Sequence, residues 1–184
     1  SACGAAQAPC PTTPPSTLRE PTSAPESITV EIQGLEPEGR VPNESVFSGF
    51  GCEGGNRSLA LSWSGAPETG QSYAVVVHDP DAPTGVGFFH WIALDLPAGT
   101  TSLPLGASGT AMPAGAVEGY TDFGASGYGG PCPPPGTPHR YEVTVYALDV
   151  PALGLPPTST GALVRFVLRE HAVAIGRATA IYGR

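Results

Sequence analysis

A mainly β domain, with two antiparallel sheets packed against each other and one helix near the C-terminus, is the fold class the sequence predicts. Short runs alternate apolar and polar residues at the period of half-buried strands, and Gly, Pro and Asp clusters break these runs. A single late segment carries apolar residues at helical spacing. Hydrophobic residues at 40% support a packed interior, so the 25 Gly and 22 Pro of the 184-residue chain belong in its loops. This length suits one domain with a tail.

Residues 1–26 form the tail. They are rich in Pro, Ser, Thr and Ala, and Leu18 is their one large aliphatic residue. Such a stretch cannot bury enough apolar surface to offset its ordering entropy, and it is expected to be a disordered tether. Its opening, Ser1-Ala2-Cys3-Gly4, resembles the end of a bacterial lipoprotein signal, in which the cysteine becomes the acylated N-terminus. Two readings of Cys3 stay open: lipidation, or pairing with Cys10.

The domain spans 27–184. Ile28, Val30 and Ile32 alternate with Thr29, Glu31 and Gln33, the pattern of a strand with one buried face. Further strands are expected at Leu59–Ser64, Tyr73–His78, His90–Leu96 and Tyr141–Leu148. Between the third and fourth of these lie about forty residues, Gly99 to Pro138, crowded with Gly and Pro; so long a loop in a compact domain points to function. Gly161 to about Ala174 is expected as a helix capped by Ser159 or Thr160, with Leu163, Phe166, Val167 and Ala174 as its apolar positions. Alternation resumes at Ala178–Tyr182, a last short strand.

Charge and cysteine usage exclude several functions. The net charge is −8, there is no Lys, and the Arg residues are scattered, so nucleic acid is not an expected partner. Without Lys neither Schiff-base chemistry nor a phosphate-loop lysine is available. No apolar run is long enough for a transmembrane helix. Cys3, Cys10, Cys52 and Cys132 match no CxxC zinc or redox spacing, and their even number is compatible with an oxidising compartment.

Three segments carry the chemistry: Asp79-Pro80-Asp81-Ala82-Pro83 after a strand, Phe89-His90-Trp91 opening the next, and GYGGPCPPPGTPHRY from Gly127 to Tyr141. With GFGCEGGNRS (Gly49 to Ser58), Leu61-Ser62-Trp63 and Phe123-Gly124, they resemble the phosphatidylethanolamine-binding protein family. The likeness is greatest to its bacterial, Raf-kinase-inhibitor-like branch, and it spans about Ser27 to Arg184. Leu59 departs from the proline usual in that branch.

The resemblance implies two sheets in Greek-key order and a pocket at one end that takes small anions, phosphorylated ligands or a phospholipid headgroup. Carried over by motif position, Asp79, His90 and His139 line this pocket, joined by Tyr128, Gly130 and Pro131 from the long loop. Cys52 and Cys132 lie in matched motifs, either as two buried thiols or as a bridge. A bridge closing some eighty residues would stabilise by roughly 4 kcal/mol.

The residue types are compatible with such a pocket. Two imidazoles and the backbone amides of Gly129 and Gly130 suit a phosphate. Asp79 would orient a histidine, accept from a ligand ammonium group, or cap its own Asp-Pro turn. Asp81 is expected to be structural, and Arg140 to form a buried ion pair, with Asp81 as a candidate partner. His78 and His171 are assigned no role, and the histidines of the pocket have a competing reading as core residues.

The leading expectation is therefore a non-enzymatic, exported binding protein that is periplasmic, anchored at the cell surface, or secreted, and that needs no cofactor. An inhibitor of a protease or other partner protein is the alternative. A metal-dependent hydrolase built on Asp79, His90 and His139 is the third reading, disfavoured because no H-E-x-x-H pattern is present. No G-x-S-x-G elbow occurs either.

Overall fold

The computed structural model describes residues 27–184. The expected tether 1–26, with Cys3 and Cys10, lies outside the described residues. Strand β1 (Thr29–Gln33) is followed by a hairpin of two very short strands, β2 (Ser48–Gly49) and β3 (Cys52–Glu53), and then by β4 (Ala60–Ser64), β5 (Ser72–Asp79) and β6 (Phe88–Pro97). After β7 (Ser102–Leu103) and β8 (Val117–Glu118) come β9 (His139–Leu148), helix α1 (Gly161–His171) and β10 (Ala172–Tyr182).

These strands make a three-stranded sheet of order β1-β4-β7, a five-stranded sheet of order β10-β9-β5-β6-β8, and the β2-β3 hairpin. All pairings of the named strands are antiparallel. The inward residues of the small sheet, Leu61, Trp63 and Leu103, pack on Val75, Val77, Trp91 and Val143 of the large one. Where β1 reaches β10, Ser27 and Ile28 donate to the carbonyl of Ile175. Gly176 permits that approach, because a Cβ there would lie 2.2 Å from the carbonyl oxygen of Ile28.

Helix α1 covers the other face of the large sheet, with Val164 and Leu168 against Ala74, Val76, Ile92, Leu94 and Tyr146. Covered on both faces, β5 is buried along its whole length, which is why Ala74 to Val77 form an unbroken apolar run. The expected helical face is corrected: Leu163 and Phe166 are exposed, and the sheet instead selects the i, i+4 pair Val164 and Leu168. Thr160 is the cap, its Oγ1 accepting from the amide of Leu163.

The helix also ends sooner than expected. Ala174 belongs to β10, which starts at Ala172 rather than Ala178 because the long partner strand β9 satisfies the backbone as far as Leu148. Within the long loop, β7 and β8 pair with β4 and β6. Cys52 and Cys132 form a disulfide, with a sequence separation of 80. Among the described residues no helix is long and apolar enough to cross a membrane.

Candidate functional site

Sheet order assembles the site. Strand β5 lies between β9 and β6, so Asp79 at the end of β5 is flanked by His139, which opens β9, and by His90 near the start of β6. A register irregularity at Val77/His78 in the β5-β6 pairing bends the ladder immediately before Asp79. The three side chains line a pocket of about 170 Å³. Its walls are Phe50, Phe88 and Phe123 together with Pro83, Pro133 and Pro134, and Ala82, Thr84 and Cys132 complete the lining.

Asp79, with its side chain 4% exposed, does two of the jobs expected of it at once. Oδ1 accepts from the amides of Asp81 and Ala82, at 2.8 and 3.1 Å, and closes the Asp-Pro turn. Oδ2 lies 2.7 Å from Nδ1 of His139, which donates to it. That bond fixes the ring and leaves Nε2 as the nitrogen free for the pocket. The turn and His139 thus take three of the roughly four accepting sites of the carboxylate.

His90 is oriented by backbone. Its Nδ1 lies 2.8 Å from the carbonyl of Gly129 and donates to it, and Phe123 and Tyr141 stand edge-on to its ring. Burial pushes its pKa below the ordinary imidazole value, while the Gly129 carbonyl and the charge of Asp79 pull weakly the other way. His90 is therefore neutral at pH 7, and its remaining nitrogen is an acceptor.

Several expectations for the long loop change. Tyr128, Gly130 and Pro131 do not line the pocket but stand behind it. The Tyr128 hydroxyl donates to the carbonyl of Ser45, its ring packs edge-on against Trp91, and burial raises its pKa. The Pro131 carbonyl accepts from the amide of Phe47. A Cβ on Gly130 would lie 2.2 Å from the carbonyl oxygen of Ser45. Nor are the two glycine amides free for an anion: that of Gly129 donates to the carbonyl of His90, and that of Gly130 to Oδ1 of Asn56.

Arg140 pairs with Asp81, as anticipated, through Nε to Oδ2 at 2.9 Å and Nη2 to Oδ1 at 2.7 Å. The pair is not buried: the side chains are 56% and 31% exposed, because it sits outside the turn it braces. The Arg140 hydrogen bonds hold the Asp81 carboxyl down to about 2. His78 is a core residue, its Nε2 donating to the carbonyl of Val86 at 3.1 Å and its ring against Phe89. His171 pairs with Asp149 at the end of α1.

Sequence reasoning assigned no role to Phe50, Phe88, Phe123, Asn56 or Arg184. The three phenylalanines lie in or beside the motifs quoted above, yet an aromatic residue in a strand or turn reads first as core. Arg184 donates to the carbonyls of Pro133, Gly51 and Phe50, and so joins two pocket walls. Its position at the far end of the chain carried no signal.

Comparison with known proteins points one way. The sequence profile described as phosphatidylethanolamine-binding protein matches residues 33–183. The chain is similar to UPF0098 protein YbcL of Escherichia coli K12, 50% identical over 141 residues, 74% of this chain and 77% of that protein. UPF0098 protein YbhB of the same strain is 43% identical over 145 residues, 78% of this chain and 92% of that protein. A Mycobacterium tuberculosis protein provisionally named lipoprotein LppC is 37% identical over 142 residues, 77% of this chain and 65% of its own length. The crystal structure of E. coli YbcL superposes with a TM-score of 0.82 at 44% identity, covering 86% of this chain and 99% of that one.

Proposed function

The chain belongs to the phosphatidylethanolamine-binding protein family, and from that premise we propose that it is a non-enzymatic binding protein whose pocket holds the acid group of a small phosphorylated ligand, a phospholipid headgroup included. One observation carries this reading: buried Asp79 locks His139 so that Nε2 is the ring nitrogen left for a stiff-walled pocket, beside His90. Because Nδ1 of His139 already donates to Asp79, Nε2 becomes a donor when the ring is an imidazolium, and the carboxylate balances that charge. Neutral His90 accepts from a P–OH group. A singly protonated phosphate carries the P–OH that His90 accepts from, and that form of the ligand gains population as pH falls from 8 to 6, so affinity should rise over that range.

Calorimetric titration of phosphate and of phosphorylethanolamine into wild type and His139→Ala, both checked for folding, tests this. Saturable binding that strengthens at lower pH and is lost in the variant is the expected result. No binding by folded wild type would overturn the reading and put inhibition of a partner protein in first place. The metal-hydrolase alternative is the weaker one: Asp79 already accepts three hydrogen bonds, one of them orienting His139, so a metal would have to share that carboxylate.

We also infer export, supported by the Cys52–Cys132 disulfide and the name of the mycobacterial relative. Expression with the native leader and intact-mass measurement is the check. A diacylglyceryl increment on Cys3 would mark a lipid anchor, a mature unmodified chain in the periplasm or medium a soluble exported form, and an unprocessed cytoplasmic chain would refute export.

A further inference from the structure

The lining of the pocket is a poor match for a ligand made only of charge. An anion in water is surrounded by donors, and here few remain. The amides of Gly129 and Gly130 are engaged, and Pro83, Pro133 and Pro134 have no N–H. The guanidinium groups of Arg140 and Arg184 are committed to Asp81 and to three backbone carbonyls. Two imidazoles hold the polar end, and most of the remaining wall is carbon.

That carbon is arranged as rings. Phe88 stands edge-on to Phe123, at 78° and 4.9 Å, while Phe50 lies nearly parallel to Phe123, at 13° and 6.3 Å. Phe47 stacks on both Phe50 and Phe123 from outside the lining. Phe50 is the unusual member: it is 74% exposed and adopts φ +52°, a conformation that is costly for a bulky residue. Its neighbours Gly49 and Gly51 also have positive φ, which lets the turn form. The turn is held from two sides, by Arg184 on the carbonyls of Phe50 and Gly51, and by the disulfide from Cys52 to the lining residue Cys132. A strained, water-exposed aromatic residue fastened in this way at the edge of a pocket is accounted for by contact with a ligand.

We propose that the pocket selects small acids carrying a planar ring, with the carboxylate or phosphate at His139 and the ring among Phe50, Phe88 and Phe123, and that Phe50 is the residue that sets this preference. The proposal rests on the acid-binding reading above. The volume, about 170 Å³, is close to the ~150 Å³ of a cavity that accepts benzene. Offset and edge-on ring contacts at this spacing favour a ring-bearing acid by about tenfold.

Matched pairs of probes test it: acetate against benzoate, and phosphate against phenyl phosphate, titrated calorimetrically at pH 6 into wild type and Phe50→Ala, with benzyl alcohol as a ring without an acid. Each ring acid should bind about tenfold tighter than its ringless partner, benzyl alcohol far more weakly than benzoate, and the benzoate to acetate ratio should collapse in Phe50→Ala. Equal affinities within both pairs would overturn ring selection while leaving the acid pocket standing. Benzyl alcohol binding as well as benzoate would reduce the effect to adsorption on exposed rings and overturn it too. A preference that survives Phe50→Ala would overturn the role of Phe50, and failure of every probe would take the acid-binding reading down as well.

Discussion

At the floor of the pocket Asp79 is almost wholly buried, and its two oxygens close a turn and orient His139. At the rim, Phe50 stands 74% exposed on a loop and contributes ring surface to the pocket. On the proposed reading the floor would bind and fold with the same atoms, so a substitution there should change both. The rim contributes contact area and little stability, so it can change ligand preference with the fold intact. If the proposed function holds, acid recognition lies in a part of the molecule resistant to change and ligand choice in a part open to it.

The largest expected effect falls on the bridge that fastens the rim. Cys52→Ser combined with Cys132→Ser should lower the unfolding free energy in urea by about 4 kcal/mol, because the bridge closes a span of 80 residues. A loss below about 1 kcal/mol would mean that Arg184 alone suffices to join the hairpin to the loop. Next comes Gly130→Ala, behind the floor. A Cβ 2.2 Å from the carbonyl oxygen of Ser45 and 2.6 Å from the amide nitrogen of Phe47 forces backbone movement, at about 3 kcal/mol. Wild-type stability in that variant would show the loop to be far more pliant than the contact implies.

Asp79→Asn is expected to cost about 2 kcal/mol, since the amide can still accept from Asp81 and Ala82 but offers His139 no charged acceptor. Phosphate binding should fall with it; retained affinity at full stability would separate the two roles assigned to Asp79. Acid provides a smaller perturbation. The folded pKa of His90 lies below its ordinary value of 6.5, so the unfolded chain takes up the proton first as pH falls. Its contribution to stability is present above about pH 6.5 and is lost below, and the melting temperature should decline from pH 7 to pH 5. A flat profile would refute a neutral, buried His90.

Smallest of all is Arg140→Ala. The pair with Asp81 is solvent-exposed, so melting should shift little despite its bidentate geometry. Because the Asp81 carboxyl is held at about 2, that small contribution is present above its unfolded value and fades as pH falls through about 2. A large shift would place Arg140 with the floor rather than the rim.

Much of this architecture was legible beforehand, and unevenly so. Asp79, His90 and His139 could be picked out because each sits in a short motif beside a strand boundary. Tyr128, Gly130 and Pro131 could be picked out too, but not their orientation: each turns toward the Ser45–Phe47 segment, more than eighty residues earlier in the chain. The helix end is not legible because Ala172-Val173-Ala174 carries no Gly, Pro or polar residue to mark where α1 stops and β10 starts. Strands β7 and β8, of two residues each, are shorter than any period can reveal.

The sequence by itself determined the longer strands, the existence of the helix and the motifs that carry the family. All of these depend on residues close together along the chain, where side-chain periodicity and backbone preference act. Only the tertiary structure decided which donors remain for a ligand, because that depends on partners such as Asn56 for Gly130 and the carbonyls that hold Arg184. A hydrogen-bonding group buried in a fold takes whichever complementary atom packing brings within about 3 Å, and separation along the chain does not limit that choice.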